Sequence, residues 1–261
     1  MMGSYTGSVR YADSSAFYPF MLQDFVYRQI FPHNARMKHA WFISGTDTEV
    51  GKTFITCALL HLCAQRQWQT VGMKPIAAGC DALGHNEDTE QIREAASILL
   101  ERTSITPFLL RQAIAPQIAA TQDKLCIDFA HIHSVFSELS GRAEVVLVEG
   151  VGGFRVPLGL SPDGQPQDSA DLATSLALPI ILVVGMRLGC QNHALLSVEA
   201  MLKRGLTVAG WVANTLDEAM PCLPENIEIL RQLIAAPLLG VVPRCQDARE
   251  AAQYLSLPDP L

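Results

Sequence analysis

The chain has 261 residues, 49% of them hydrophobic, with a formal net charge of -7 and a pI near 5.5. This length suits one large α/β domain, and the acidic balance argues against a general attraction to nucleic acid or to an anionic membrane. The seven cysteines include no C-x-x-C pair, so they support neither a disulfide framework nor a zinc knuckle. The best apolar run, "LPIILVV" at 178–184, is too short to span a bilayer. We therefore expect a soluble, cytoplasmic protein with free thiols.

The first 36 residues differ in composition from the rest of the chain. They hold eight of its fifteen Phe and Tyr residues, without helical or alternating order. Met37 then opens "MKHAWFISG", which runs directly into a strand pattern. We predict that 1–36 is an N-terminal extension outside the fold and that 37–261 forms a single domain.

From Ala40 onward, short β-branched runs alternate with helical patterns. The predicted strands are 41–45, 70–76, 144–150, 179–185, 207–214 and 237–243. The predicted helices lie near 51–66, 89–101, 123–139, 169–177, 191–204 and 226–236, and the segment 152–168 is predicted to be irregular. This alternation predicts an α/β fold in which helices flank a mainly parallel sheet, as in P-loop nucleotide-binding proteins.

The stretch "GTDTEVGKT" at 45–53 lies between the first strand and the first helix. A strict phosphate-loop pattern requires glycine where Thr46 stands, but Gly45, one residue earlier, supplies the flexibility. Backbone amides would surround phosphate oxygens, Lys52 would reach the β- and γ-phosphates, and the Thr53 hydroxyl would bind Mg²⁺. The alternative is an ordinary helix start capped by Asp47 or Thr48.

Two further strand ends carry side chains suited to phosphate chemistry. Lys74 lies at the end of the second strand, where it would meet an anion, although a solvated lysine at the rim is the alternative. Glu149 ends the third strand as a Walker-B acid does, followed by Gly150, Gly152 and Gly153. Asp88 offers another carboxylate, but by itself it is better interpreted as a helix N-cap.

The motifs in this chain closely resemble those of one family, the ATP-dependent dethiobiotin synthetases. They occur in the order that the family shows, over roughly residues 40 to 243. They are "GTDTEVGKT", "MKPIAAG", "NED", "VLVEGVGG", "PIILVVGMRLGCQNHALL", "GWVAN" and "APLLGVVP". The resemblance implies a cytoplasmic enzyme that closes a cyclic urea from the diamine diaminopelargonate, CO₂ and MgATP in biotin synthesis.

The resemblance also implies roles for individual residues. The nucleotide-binding positions would be Glu49, Val50, Gly51, Lys52, Thr53, Glu149, Gly150, Gly152, Gly153, Asn214 and Pro243. Among these, Asn214 and Pro243 correspond to adenine-recognition elements. Thr53, Asp88 and Glu149 would bind Mg²⁺, and Lys52 and Lys74 would act on the transferred phosphate and the carbamate.

Substrate-binding positions follow from the same resemblance. They would be Thr48, Lys74, Leu188, Gly189, Cys190 and Asn192. The amides around Cys190 would hold the substrate carboxylate across a dimer interface, which implies a homodimer. Two positions depart from the family: Ala78 stands where many relatives have Ser, and Gln117 stands where a His is common.

Other interpretations of the phosphate loop remain open. Partition-type switch ATPases share the fold but carry a second lysine five residues before the loop lysine, where this chain has Asp47. Amidating ligases of cobalamin synthesis append a glutaminase domain, and only 18 residues follow Pro243 here. A binding module without catalysis is the third alternative, which Lys52 and Glu149 argue against.

Overall fold

The computed structural model describes residues 37–217 and 219–258. The predicted extension, 1–36, lies outside the described residues, so its exclusion from the fold stays a prediction. Within the described ranges, none of the helices has the length and apolar character needed to cross a membrane.

Strands and helices alternate along the chain as predicted. The strands are β1 (His39–Gly45), β2 (Thr70–Met73), β3 (Ile76–Ala78), β4 (Phe108–Leu110), β5 (Val145–Glu149), β6 (Pro157–Leu160), β7 (Pro166–Asp168), β8 (Ile180–Met186), β9 (Val208–Thr215) and β10 (Leu238–Val242). The α-helices are α1 (Lys52–Gln65), α2 (Glu87–Ala95), α3 (Pro116–Asp123), α4 (Phe129–Arg142), α5 (Ser169–Leu176), α6 (Cys190–Lys203), α7 (Leu223–Leu233) and α8 (Ala248–Ala251). Short 3₁₀ turns lie at Arg102–Ser104 and Ala252–Tyr254.

The main sheet has six parallel strands in the order β10-β9-β8-β1-β5-β2. The chain builds one half of the sheet from β1 through β2 to β5 and then adds β8, β9 and β10 on the other side of β1. This reversal beside β1 is the switch point at which α/β sheets bind ligands, at the carboxyl ends of the strands. The predicted fold class is confirmed.

Both faces of the main sheet are buried, which explains why its strands are apolar throughout. In β5, Val146 and Val148 pack with α4 and α5 on one face, whereas Val145 and Leu147 pack with α1 on the other. Alternation along the strand places Glu149 on the α1 face as well. The sheet therefore aims this carboxylate at the side where α1 begins.

The predicted strand 70–76 ends early, at Met73. Pro75 has no N–H for a ladder, and the Lys74 N–H donates instead to the Ile105 carbonyl, at 2.9 Å. The chain then enters β3, which pairs with β4 in a separate two-stranded sheet. Lys74 is thereby placed in the break between two strands.

Three other predicted elements are corrected. The helix at 123–139 is two helices: α3 ends at Asp123, with Lys124 in a left-handed conformation, and Asp128 caps α4 by accepting from the Ala130 N–H. The helix at 89–101 ends at Ala95, because the Ser97 N–H donates to the Thr70 hydroxyl and the Ser97 hydroxyl accepts from the Thr70 N–H instead. The segment 152–168, predicted to be irregular, contains the antiparallel pair β6 and β7.

Candidate active site

The loop 45–53 connects β1 to α1 at the switch point of the sheet. Gly51 is the N-cap of α1, in a left-handed conformation with φ +83°, and it makes no side-chain cap hydrogen bond. The alternative in which Asp47 or Thr48 caps the helix is therefore wrong. The Asp47 carboxylate instead accepts from the Thr48 N–H at 2.8 Å, within the loop. The start of α1 is left with amides that suit an anion.

Lys52 extends back across this loop. Its Nζ donates to the Asp47 carbonyl at 2.8 Å, and the residue is only 7% exposed. Burial, together with the nearby Lys74 charge, lowers the pKa of Lys52 to about 8, although Glu149 and Asp88 oppose the change. The lysine is thus held over the loop in an environment that favours a bound anion.

Lys74 bridges two carboxylates from different parts of the chain. Its Nζ lies 2.5 Å from Glu149 Oε1 and 2.8 Å from Asp88 Oδ2, and the residue is 4% exposed. Burial opposes its charge, but the two carboxylates outweigh burial and raise the pKa of Lys74 above its ordinary value. The alternative of a solvated lysine at the rim is wrong.

Thr53 joins the same cluster from the first turn of α1. Its hydroxyl donates to Glu149 Oε1 at 2.8 Å. Glu149 is fully buried, and its second oxygen, Oε2, has no hydrogen-bond partner among the described residues. Since a buried carboxylate oxygen without a partner is costly, this atom suits a cation. The oxygen set formed by Thr53, Glu149 and Asp88 fits Mg²⁺, which prefers hard oxygen ligands.

The Asp88 carboxylate serves the site rather than the helix. Asn86 is the N-cap of α2, because its side chain accepts from the Thr89 N–H at 3.0 Å. The interpretation of Asp88 as the cap is therefore wrong. Burial tends to raise the pKa of Asp88, but the charge and hydrogen bond of Lys74 prevail and lower it. Asp88 thus stays ionised beside the lysine.

The loop after β5 lies alongside the phosphate loop. A Cβ on Gly152 would lie 2.9 Å from Val156 and 3.5 Å from the Thr48 hydroxyl, and the Gly152 φ of +63° itself favours glycine. A Cβ on Gly150 would lie 2.9 Å from Phe42 of β1, and a Cβ on Gly153 would lie 3.8 Å from Asp47 Cα in the phosphate loop. These glycines let the two loops approach each other closely.

Asn214 and Pro243 lie at the carboxyl ends of the neighbouring strands β9 and β10. Asn214 is buried, and its Nδ2 donates to the Val50 carbonyl of the phosphate loop at 2.9 Å. Pro243 is half-buried. Both residues therefore lie at the same edge of the sheet as the loop, and no described contact tests their predicted role in adenine recognition.

The segment 188–192 opens α6 at this edge of the sheet. Leu188 is 97% exposed, Gly189 and Asn192 are also exposed, and the Cys190 side chain is buried in the core. The Cys190 N–H already donates to the Arg187 carbonyl at 2.9 Å. A carboxylate bound here would therefore contact neighbouring amides or the Asn192 side chain rather than the thiol.

Sequence reasoning missed Arg187, which follows β8 directly. Its Nη2 lies 2.5 Å from Asp47 Oδ2 and so ties the end of β8 to the phosphate loop. Its position at the carboxyl end of a strand beside β1 was a signal that could have identified it. Asp47 stands where a switch ATPase has its second lysine. This position therefore carries a negative charge, which pairs with Arg187.

Neither of the two departures from the family adds a polar group to the Lys74 cluster. Ala78 ends β3 and is half-buried. Gln117 lines a cavity of about 630 Å³ between α3 and the β6–β7 hairpin, and none of the predicted phosphate-binding residues lines that cavity.

His131 packs edge-on against Phe108, and His133 lies 3.1 Å from the Ser175 hydroxyl, so neither is placed as a metal ligand.

This chain is similar in sequence to known proteins over most of its length. Residues 39–252 match the family described as "AAA domain". The chain is 51% identical to the ATP-dependent dethiobiotin synthetase BioD of Aromatoleum aromaticum over 84% of its own length and 97% of that protein. It is 47% identical to the protein of the same name from a Janthinobacterium species, over 78% and 87% of the two chains.

A solved structure offers a more distant likeness. It is the septum site-determining protein MinD complexed with Mg-ADP from Pyrococcus horikoshii, with 19% identity, a TM-score of 0.49 and coverage of 82% and 85%. The loop, the Lys74 cluster and nearly full-length similarity at half identity converge on one assignment. This chain belongs to the family of ATP-dependent dethiobiotin synthetases.

Proposed function

We propose that this chain converts diaminopelargonate and CO₂ to dethiobiotin, with ATP cleaved to ADP and phosphate. The observation that carries the proposal is the convergence of Lys52, Thr53, Lys74 and Glu149 at one edge of the sheet, beside the phosphate loop. These residues come from α1, the end of β2 and the end of β5. Together they form a charged, largely buried site of the kind that phosphoryl transfer requires.

The reaction has three bond-forming steps. One amine of the substrate attacks CO₂, forms a C–N bond and loses a proton, which gives a carbamate. A carbamate oxygen then takes the γ-phosphoryl group as its bond to the ADP oxygen breaks. The second amine attacks the carbamoyl carbon, the C–O bond to phosphate breaks, and loss of a further proton leaves a cyclic urea.

The lysines would stabilise the negative charge that moves during transfer. Lys52 already spans the loop, so a triphosphate would replace the Asp47 carbonyl as its partner. The Lys74 ammonium has three donors, of which two bind Glu149 and Asp88, and the third would reach the carbamate or the transferred phosphoryl group. Such preorganised charge is the largest catalytic contribution in many enzymes.

Thr53, Asp88 and Glu149 would hold Mg²⁺ through the hydroxyl and carboxylate oxygens described above. A bound Mg²⁺ neutralises phosphate charge and orients the β- and γ-phosphates. Lys74 keeps the two carboxylates close together, and burial keeps Glu149 in its orientation. These contacts would hold the oxygen ligands in place for the metal.

The substrate carboxylate would bind at the start of α6, with Thr48 near the amines and the partner copy completing the site. Exposed apolar side chains on this helix and just before it support a homodimer, because Leu188, Leu196 and Leu202 are each more than half exposed. We further propose a cytoplasmic location, which the seven free cysteines favour. The acidic charge gives no support to a nucleic-acid or membrane partner.

The decisive experiment measures phosphate release and urea formation with and without diaminopelargonate and bicarbonate. We expect phosphate and dethiobiotin in equal amounts, and only when both substrates are present. Lys52→Ala and Thr53→Ala should abolish turnover while circular dichroism shows an intact fold. Rapid ATP hydrolysis without the diamine would instead favour a switch ATPase, and near-normal turnover in either variant would contradict the phosphate-loop assignment.

A further inference from the structure

We propose that Asn214 is a positioning residue that sets the orientation of the phosphate loop, in addition to any contact it makes with the nucleotide base. This inference rests on the proposed function, because it assumes that the loop binds the triphosphate of ATP. The supporting contact joins parts of the chain that are 164 residues apart: Asn214 Nδ2 donates to the Val50 carbonyl at 2.9 Å.

The contact fixes a peptide plane inside the loop. In a trans peptide the carbonyl and the following N–H point in opposite directions. The Asn214 side chain holds the Val50 carbonyl on the β9 side, so the Gly51 N–H of the same peptide points the other way. The Gly51 carbonyl is fixed in turn, because it accepts from the Ile55 N–H at 3.0 Å in the first turn of α1. The amides at the start of α1 are thus held on both sides.

The fit around Asn214 is tight. The residue is 6% exposed, and a Cβ on Gly51 would lie only 2.2 Å from Asn214 Nδ2. Glycine at 51 therefore serves two needs, a left-handed backbone with φ +83° and room for the asparagine amide. A side chain that only contacted the base would not require this clearance from the loop.

Strand β9 gives Asn214 a rigid base from which to act. Asn214 pairs with Gly185 of β8 on one side and with Val242 of β10 on the other, so its backbone lies within the parallel sheet. A site on a strand holds its geometry better than a site on a loop. Through its hydrogen bond to the Val50 carbonyl, the Asn214 amide restrains the loop relative to the sheet.

The test separates phosphate binding from base binding by using a probe without a base. Affinities for Mg-tripolyphosphate and MgATP are measured by calorimetry on the full chain and on two variants, Asn214→Leu and Asn214→Ala. Both variants remove the donor to the Val50 carbonyl without adding a charge beside the phosphates, and leucine nearly keeps the side-chain size. We expect tripolyphosphate affinity to fall at least about fivefold in both, which equals about 1 kcal/mol and matches one lost hydrogen bond.

Ser140→Ala is the matched control. Ser140 is also buried and also donates to a backbone carbonyl, that of Phe136 at 2.8 Å, but it lies on α4. Its variant should lose some thermal stability and bind tripolyphosphate as the unaltered chain does. This comparison separates a positioning role from a general loss of stability.

Two outcomes overturn different conclusions. Unchanged tripolyphosphate binding in both Asn214 variants, with weaker ATP binding, would overturn the positioning role and leave Asn214 as a base contact only. Failure of the unaltered chain to bind either probe would overturn the proposed ATP site itself. If Asn214→Leu does not fold, Asn214→Ala, which only truncates the side chain at Cβ and adds no charge, decides the question alone.

Discussion

The ammonium of Lys74 lies 2.5 Å from Glu149 Oε1 in a part of the molecule that excludes solvent. The two residues are 75 positions apart, and they meet because β2 and β5 are neighbouring parallel strands. Breaking a buried pair by removing one partner typically costs about 3–5 kcal/mol, since it leaves a buried charge without compensation. This pair therefore links the stability of the site to its chemistry.

Lys74→Ala should lower kcat at least about a hundredfold, the scale for losing one preorganised electrostatic partner. ATP affinity should fall much less, because Lys52 and the loop amides remain. Lys74→Gln should restore little of the rate, since it keeps a donor without the charge. Steady-state kinetics test this prediction on variants that calorimetry shows to be folded. An unchanged kcat for Lys74→Ala would refute the proposed role.

Asp88→Asn and Glu149→Gln should raise the Mg²⁺ concentration needed for half-maximal activity, because each replaces an anionic ligand by a weaker neutral one. Asp88→Asn should leave the stability of α2 nearly unchanged, since Asn86 caps that helix. Asn86→Ala is the contrasting variant, with a loss of about 1 kcal/mol in unfolding free energy. An Asp88→Asn protein with unchanged Mg²⁺ dependence would remove Asp88 from the metal site.

ATP binding should weaken as pH rises through the Lys52 pKa of about 8. Burial lowers this pKa from 10.5 in the free protein, and a bound triphosphate would raise it again, so binding takes up a proton at alkaline pH. By the same linkage, the free protein should gain stability as pH rises from about 8 toward 10.5, where the unfolded chain still holds the proton.

Calorimetric titrations with ATP, without the diamine, across that pH range would test this linkage. A Lys52→Met variant should bind more weakly and with a flatter pH dependence. Constant affinity of the unaltered chain through pH 8 to 10 would show that Lys52 keeps its ordinary pKa or does not meet the phosphates.

Gly51→Ala should reduce nucleotide binding at least about tenfold, which corresponds to about 1.4 kcal/mol. An added Cβ would lie 2.2 Å from Asn214 Nδ2, and the backbone φ of +83° disfavours any other residue. Gly141→Ala in α4 is the control: nothing lies within 4 Å of its Cβ, and alanine in a helix should stabilise the fold slightly. Calorimetry measures the ATP affinity of both variants. Equal affinities would contradict this view of the loop.

A chain that begins at Met37 should keep the fold, the dimer and the activity. The composition break before Met37 and the start of β1 at His39 motivate this expectation. Size-exclusion chromatography with light scattering and an activity assay test it. Loss of the dimer or of activity would show that 1–36 contributes to the folded protein.

The chain order of strands and helices could be predicted from the sequence, because apolar runs and β-branched residues mark buried parallel strands locally. The phosphate loop was recognisable for the same reason, since "GTDTEVGKT" carries its glycines, lysine and threonine within nine consecutive positions. The separate motifs at Lys74 and Glu149 were identifiable as strand ends. These features depend on short-range spacing, which a sequence contains directly.

Tertiary structure alone decided what those residues contact. Lys74, Asp88 and Glu149 meet only in the folded protein, and the shifted pKa values of Lys74 and Asp88 come from that environment rather than from their neighbours in sequence. The bond from Asn214 to Val50 spans 164 positions, and the pair between Arg187 and Asp47 spans 140, so no local pattern shows either. Likewise, Asn86 rather than Asp88 caps α2, and the Asp88 carboxylate accepts from Lys74 instead. Contacts between distant segments form only when folding of the sheet brings those segments together, so the spacing of residues along the chain cannot show them.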